Sequence, residues 1–214
     1  PRDEKRDIAM CKTEGVDVVF LPTPEEMYAS DASVSLVESH LSKVMCGKTR
    51  PTHFQGVLTV VNKLFNITRA DVAVFGMKDA QQLAVIRRMV RDLDMPITII
   101  PGPIIREEDG LAKSSRNKYL SATERQQALC LRRSLDLAEK AWQRGDTNAE
   151  TVIAQMRASI EPTPGADIDY IVAVDADSLE TVDVLRANTL IALAVKIGKT
   201  RLIDNTVLNT RNLP

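Results

Sequence analysis

Short apolar runs alternate with amphipathic helical spacings through the first half of this chain, and that alternation leaves few folds open. A helical pattern over about residues 3–14, carried by Ile8, Met10 and Cys11 and stopped at Gly15, leads into the strand-like run 16–21. A second helix starts near His53 and places Val57, Val60, Val61, Leu64 and Phe65 at spacings of three and four. The run Asp71 to Phe75 then reads as a strand ending in Gly76, and the run Ile97 to Ile100 as another ending at Pro101-Gly102-Pro103. Between them lies a helix from Gln81 to Leu93 that buries Leu83, Ile86, Met89 and Val90. Strands and helices in alternation imply a parallel sheet with both faces covered. Thr23, Pro24 and Glu26 spell a helix start. The stretch 30–47 has no clear period.

Beyond about residue 118 the pattern changes. Ser121 and Glu124 have capping-box spacing and open a helix that runs to Arg144. A further helix covers 147–160 and stops at Pro162 and Pro164. Strand-like runs follow at 168–174, 189–197 and 201–204, with Gly198-Lys199 as a tight hairpin between the last two. This reads as a small α+β domain with antiparallel strands.

Composition excludes several function classes. The formal charge is −1, so no overall basic field recruits nucleic acid or an anionic membrane, and neither is expected as a partner. Hydrophobic residues make up 44% and charged ones 27%, ordinary values for a globular protein. No apolar run approaches the roughly 18 residues that span a bilayer. Cys11, Cys46 and Cys130 form no CxxC pair, and only His40 and His53 could join them, so no metal site is expected. Asp167, Asp169, Asp175 and Asp177 lack the spacing of a calcium loop. Reduced thiols and the lack of a secretory signal point to a cytoplasmic protein.

The chemistry concentrates in Leu111-Ala112-Lys113-Ser114-Ser115-Arg116-Asn117. A lysine, two hydroxyls and an arginine in succession can surround a polyphosphate with charge and donors, as a flexible loop closing over ATP. Alone, the same residues would be read as a polar surface loop. The run Phe75-Gly76-Met77-Lys78-Asp79 also follows a strand end, where ligands bind in parallel sheets. Two cationic segments thus converge on one sheet edge.

In order, these pieces resemble the pantothenate synthetase (pantoate–β-alanine ligase) family. The resemblance is carried by Arg50-Pro51-Thr52-His53-Phe54-Gln55-Gly56-Val57, Lys63-Leu64-Phe65-Asn66, Phe75 to Leu83, Asp109 to Asn117 and Arg201-Leu202-Ile203-Asp204-Asn205. It implies an α/β fold: a Rossmann-like parallel sheet, N-terminally incomplete, followed by the small α+β domain. The expected boundaries are 1–106 for the nucleotide-binding domain, 107–120 for the ATP loop and linker, and 121–214 for the C-terminal domain.

The resemblance implies an ATP-dependent ligase that condenses pantoate and β-alanine through a pantoyl adenylate, with Mg²⁺ accompanying ATP, usually as a homodimer. Carried over residue by residue, it makes Lys78 the catalytic cation. ATP contacts fall to Gly76, Met77, Lys78, Asp79, Ile105, Lys113, Ser114, Ser115 and Arg116, and pantoate contacts to Gln82 and His53. Asp79 is also expected to cap the helix after it, and Ile105 otherwise to pack on the sheet edge. Lys113, Thr52, Gln55 and Met77 depart from the family's usual residues. The family's HxGH loop, which contacts ATP phosphates, is not among these residues, so the chain alone is expected to be inactive. Two other readings stand beside the ligase: a non-catalytic nucleotide-binding remnant, which would bind ATP without releasing pyrophosphate, and a different nucleotidyltransferase, which would not respond to pantoate.

Overall fold

The computed structural model describes residues 3–209, in two compact units that divide between Ser35 and Leu36. In the first, α1 (Glu4–Thr13) is capped by Asp3, whose carboxylate accepts the Arg6 N–H. The short α2 (Pro24–Met27) carries the expected capping box between Thr23 and Glu26. The strand expected over 16–21 does not form. A strand exists only where its N–H and C=O groups find a ladder partner, and none pairs with this run among the described residues. Val18 is 79% exposed. Pro1 and Arg2, at the head of that opening stretch, lie outside the described residues.

The second unit begins with irregular chain and the short α3 (Cys46–Thr49), then α4 (His53–Thr68), β1 (Val72–Gly76), α5 (Ala80–Asp92) and β2 (Thr98–Gly102). The two strands pair in parallel, Val72 opposite Thr98 and Gly76 opposite Gly102. Phe75 and Ile99 pack into the core under α4 and α5, where Phe65 meets Phe75 edge to face. The other face is open: Val74 is 66% exposed, and Val72 and Ile100 are exposed too. Coverage of both faces, expected from the run pattern, is therefore not seen. Periodicity reports how apolar a strand is, not how many elements lie against it.

The remainder holds α6 (Ala122–Gln143), α7 (Ala149–Ile160), β3 (Ala166–Asp175), β4 (Thr189–Ile197) and β5 (Thr200–Val207). The three strands form one antiparallel sheet in the order β3-β4-β5, and Gly198, at φ +56°, makes the β4–β5 turn. In β4 only Lys196 is exposed. Successive strand residues point to opposite faces, and β4 uses both. Leu190 and Ala192 join Leu58, Val61, Ile86 and Met89 of the first core. Ile191, Leu193, Val195 and Ile197 join Leu131, Leu135, Met156 and Ile160 of the second. The ladder sets Asp204 opposite Leu193 and Asn205 opposite Ala192, placing two buried polar residues of β5 at the seam.

Before α3 the chain is drawn in tightly. A Cβ on Gly47 would lie 1.7 Å from the Ser42 carbonyl oxygen, so only glycine fits. Gly47→Ala should destabilise the protein by about 2–3 kcal/mol, the scale of an overpacked core. A chemical-denaturation midpoint unchanged from the parent would show that the chain relaxes there freely.

Candidate active site

β1 ends at Gly76, and residues Met77–Asp79 form a single 3₁₀ turn that leads into α5. Nothing in the fold demands glycine at 76, where φ is −67° and an added Cβ would meet open space. The turn fixes Lys78 with its side chain over the next loop. Lys78 Nζ donates to the carbonyls of Lys113 (3.1 Å) and Ala112 (3.3 Å). Burial pushes this ammonium's pKa below the usual lysine range; Asp204 and Asp79 pull it up in part, while Arg116 and Arg106 add to the lowering. Asp79 occupies the N-cap position of α5, but its side chain makes no capping hydrogen bond. The carboxylate instead faces the hollow described below, so the expected cap is not made.

The loop after β2 is tied down rather than free. Arg106 and Ala112 form an antiparallel bridge. Arg106 reaches Asp204 with both Nη atoms, at 2.7 and 3.0 Å, and Nη1 also donates to the Gly110 carbonyl. Asn117 donates to Glu107 and to the Ala112 carbonyl, and Arg125 pairs with Glu107 and Asp109. Ser114 Oγ accepts the Arg116 N–H and starts the 3₁₀ turn Ser115–Tyr119. Lys113 and Ser115 have exposed side chains; the Lys113 N–H donates to the Ile105 carbonyl. Ile105 itself is 60% exposed, so it does not pack on the sheet edge.

These segments enclose a hollow of about 210 Å³. Lys78, Asp79 and Arg116 line it together with Arg50, His53 and Gln82. Five of the expected site residues thus share one space. Met77 opens instead toward a neighbouring groove of about 420 Å³, and Gly76, Ile105, Lys113, Ser114 and Ser115 do not line the smaller hollow. The pKa of His53 is lowered, first by burial and then by the Arg50 charge, so its ring is neutral near pH 7. A neutral imidazole offers one donor and one acceptor rather than a charge.

The hollow's frame is built from residues outside the expected site set. Gln81, adjacent to Gln82, is 4% exposed. Its amide donates to the Leu41 and Val44 carbonyls at 2.8 and 2.7 Å and accepts the Cys46 N–H at 3.0 Å. It thereby brackets Met45, a non-glycine residue held at φ +47°. The signal was present, since Gln81, Val85 and Met89 lie on one helical stripe. At the far wall Arg201 pairs with Asp169 at 2.6 Å, lies over the Tyr170 ring, and contacts Cys46 Sγ, itself 3.4 Å from Tyr170 Oη. Among the described residues, no group of three or more His, Cys, Asp or Glu side chains could hold a metal ion, and no helix is long and apolar enough to cross a membrane.

Comparison with known proteins places this geometry. The family profile described as Pantoate-beta-alanine ligase matches residues 1–207. The pantothenate synthetase of Acetivibrio thermocellus is 49% identical over 208 residues, covering 97% of this chain and 74% of that protein. That of Enterococcus faecalis is 51% identical over 205 residues, covering 96% and 73%. The crystal structure of the Thermus thermophilus enzyme superposes with a TM-score of 0.94 at 38% identity, covering 100% of this chain and 76% of that one. The Francisella tularensis ligase, complexed with β-γ ATP and β-alanine, matches with a TM-score of 0.76 at 31% identity, covering 97% and 70%. The chain spans about three quarters of the length of its curated relatives, and its parallel pair and three-stranded antiparallel sheet match the fold of these enzymes: it belongs to the pantoate–β-alanine ligase family.

Proposed function

We propose that the protein joins pantoate to β-alanine at the expense of ATP, through an enzyme-bound pantoyl adenylate. One observation carries this reading: Lys78 and Arg116, from two separate loops, face one hollow together with Gln82 and His53. At about 210 Å³ the hollow is small beside the usual ligand cavity. It suits a short hydroxy acid, with the nucleotide's phosphates at its cationic rim. Gln82 and the neutral His53 would hold pantoate through its hydroxyl and carboxylate. Lys78 and Arg116 would neutralise the α-phosphate as the pantoate carboxylate oxygen attacks phosphorus and pyrophosphate leaves. The amine of β-alanine then attacks the acyl carbon, AMP departs with the former carboxylate oxygen, and the ammonium proton is shed to give the amide. The gain comes from alignment and charge, not from a protein nucleophile.

Mg²⁺ travelling with ATP is held mainly by phosphate oxygens and water. Asp79, exposed at the turn and uncommitted to capping, is the carboxylate that would face it, and the ion would supply further neutralisation of the phosphates. Gly76, Met77 and Ile105 would contribute backbone, and Lys113, Ser114 and Ser115 the loop's donors. We further propose a cytoplasmic homodimer. The HxGH loop of the family is absent from these 214 residues. The chain alone is therefore proposed to bind without turnover, and the rate assay uses a protein carrying that loop.

Pantoate-dependent pyrophosphate release from Mg-ATP is the decisive assay; ATP binding without any release would favour a nucleotide-binding remnant. Release that ignores pantoate would favour another nucleotidyltransferase. Lys78→Ala should lower the rate constant by about 10²–10³-fold, the scale of losing one transition-state donor, with little change in melting temperature. An unchanged rate would remove Lys78 from the mechanism. His53 should titrate with a midpoint below 6.5 in proton NMR, its neutral form favoured by burial. A midpoint above that value would mean that the Asp79 carboxylate outweighs burial and the Arg50 charge.

A further inference from the structure

Asp204 and Asn205 are consecutive residues of β5, each 3% exposed. Asn205 Nδ2 donates to the carbonyls of Met77 at 3.0 Å and Lys78 at 2.9 Å. The Asp204 carboxylate takes both Nη atoms of Arg106 and accepts the Asn205 N–H at 2.8 Å. Arg106 in turn holds the Gly110 carbonyl. One short piece of strand therefore clasps both cationic segments, the turn from below Lys78 and the loop through Arg106. Lys78 Nζ closes the ring by reaching the Ala112 and Lys113 carbonyls.

A polar pair buried this deeply costs stability unless each group is satisfied, and an apolar pair would serve a sheet seam better. Here every bond made by the two side chains goes to the site segments or to the strand itself. We infer that Asn205 and Asp204 are positioning residues for the reaction: Asn205 sets where the Lys78 backbone sits, and Asp204, through Arg106 and the loop it holds, sets where the Lys78 ammonium rests. This rests on the reading of Lys78 as the phosphate-facing cation. The charged groups around that ammonium are Asp204 and Asp79, which favour its protonation, and Arg106 and Arg116, which oppose it. Because Arg106 already occupies Asp204 face-on, the carboxylate acts on Lys78 through space.

Two variants separate positioning from mere support. Asn205→Leu removes both donors at similar volume, and should lower kcat for pyrophosphate release by about 10–100-fold, the cost of a small misplacement. In a Lys78→Ala background the same change should cost less than about threefold, since residues acting through one group are not additive. An equal loss in both backgrounds would overturn the assignment. Asp204→Asn keeps the shape and removes the charge. The Lys78 ammonium, followed by ¹³Cε NMR in the free protein, should then lose its proton at lower pH than in the parent. A titration that stays in place would overturn the role of Asp204. The NMR measurement needs no turnover, so it can fail while the ligase reading stands, and the pantoate assay can fail while it succeeds.

Discussion

β4 is the constraint on which the rest depends. It is a strand with no solvent side: Leu190 and Ala192 face one core, Ile191, Leu193, Val195 and Ile197 the other. A slip of one residue would exchange the two sets, so its register is fixed twice over. β5 inherits that register through the ladder that pairs Ala192 with Asn205 and Leu193 with Asp204. The polar pair at the site therefore stands where it does because six apolar residues one strand away cannot move. At about 1.5–3 kcal/mol for each fully buried aliphatic side chain, that anchoring far exceeds any single hydrogen bond made at the hollow.

The charge arrangement follows from the same frame. Two of the arginines near the hollow are spoken for: Arg106 by Asp204 and Arg201 by Asp169. Among the described residues, Arg50 and Arg116 have no carboxylate partner within ion-pair distance, and Lys78 is held by carbonyls alone. Of the cations lining the hollow, Arg201 is thus neutralised, whereas Arg50, Lys78 and Arg116 are not. Four cations and two carboxylates line the hollow, and this local excess of positive charge coexists with a formal net charge of −1. Whole-chain charge carries no information about a site of this size.

How much of this was readable beforehand varies with the physics involved. Helices α4 to α7 were legible because their apolar spacing is local, with a capping box added at α6, and the β4–β5 hairpin because Gly198-Lys199 permits little else. The run 16–21 misled because five apolar residues in six look like a strand whether or not a partner exists. The meeting of Lys78 with Arg116 was anticipated from strand ends in a parallel sheet, a topological rule. What lies outside any motif is the frame: Gln81 and Asn205 act through backbone carbonyls and an N–H group 35 to 128 residues away, Asp204 acts through the Arg106 side chain, and no sequence pattern announces which of these groups will need a partner. Asp79 shows the converse. Its position was right for a helix cap, but geometry turned the carboxylate toward the hollow.

The hold on Lys78 bears on how such a site can work. An ammonium locked to a carboxylate would have to break a charge-assisted pair before meeting a phosphate, and such pairs are roughly twice as strong as neutral hydrogen bonds. Lys78 instead rests on two neutral carbonyls at 3.1 and 3.3 Å, while its compensating carboxylate, Asp204, is pinned by Arg106. The side chain is thereby held without being captured by an ion pair. Those two carbonyls belong to Ala112 and Lys113, immediately before the Ser-Ser-Arg turn. Moving Lys78 onto a phosphate would give up only these two bonds, since the loop that carries Arg116 keeps its ties to Arg106, Asn117 and Arg125.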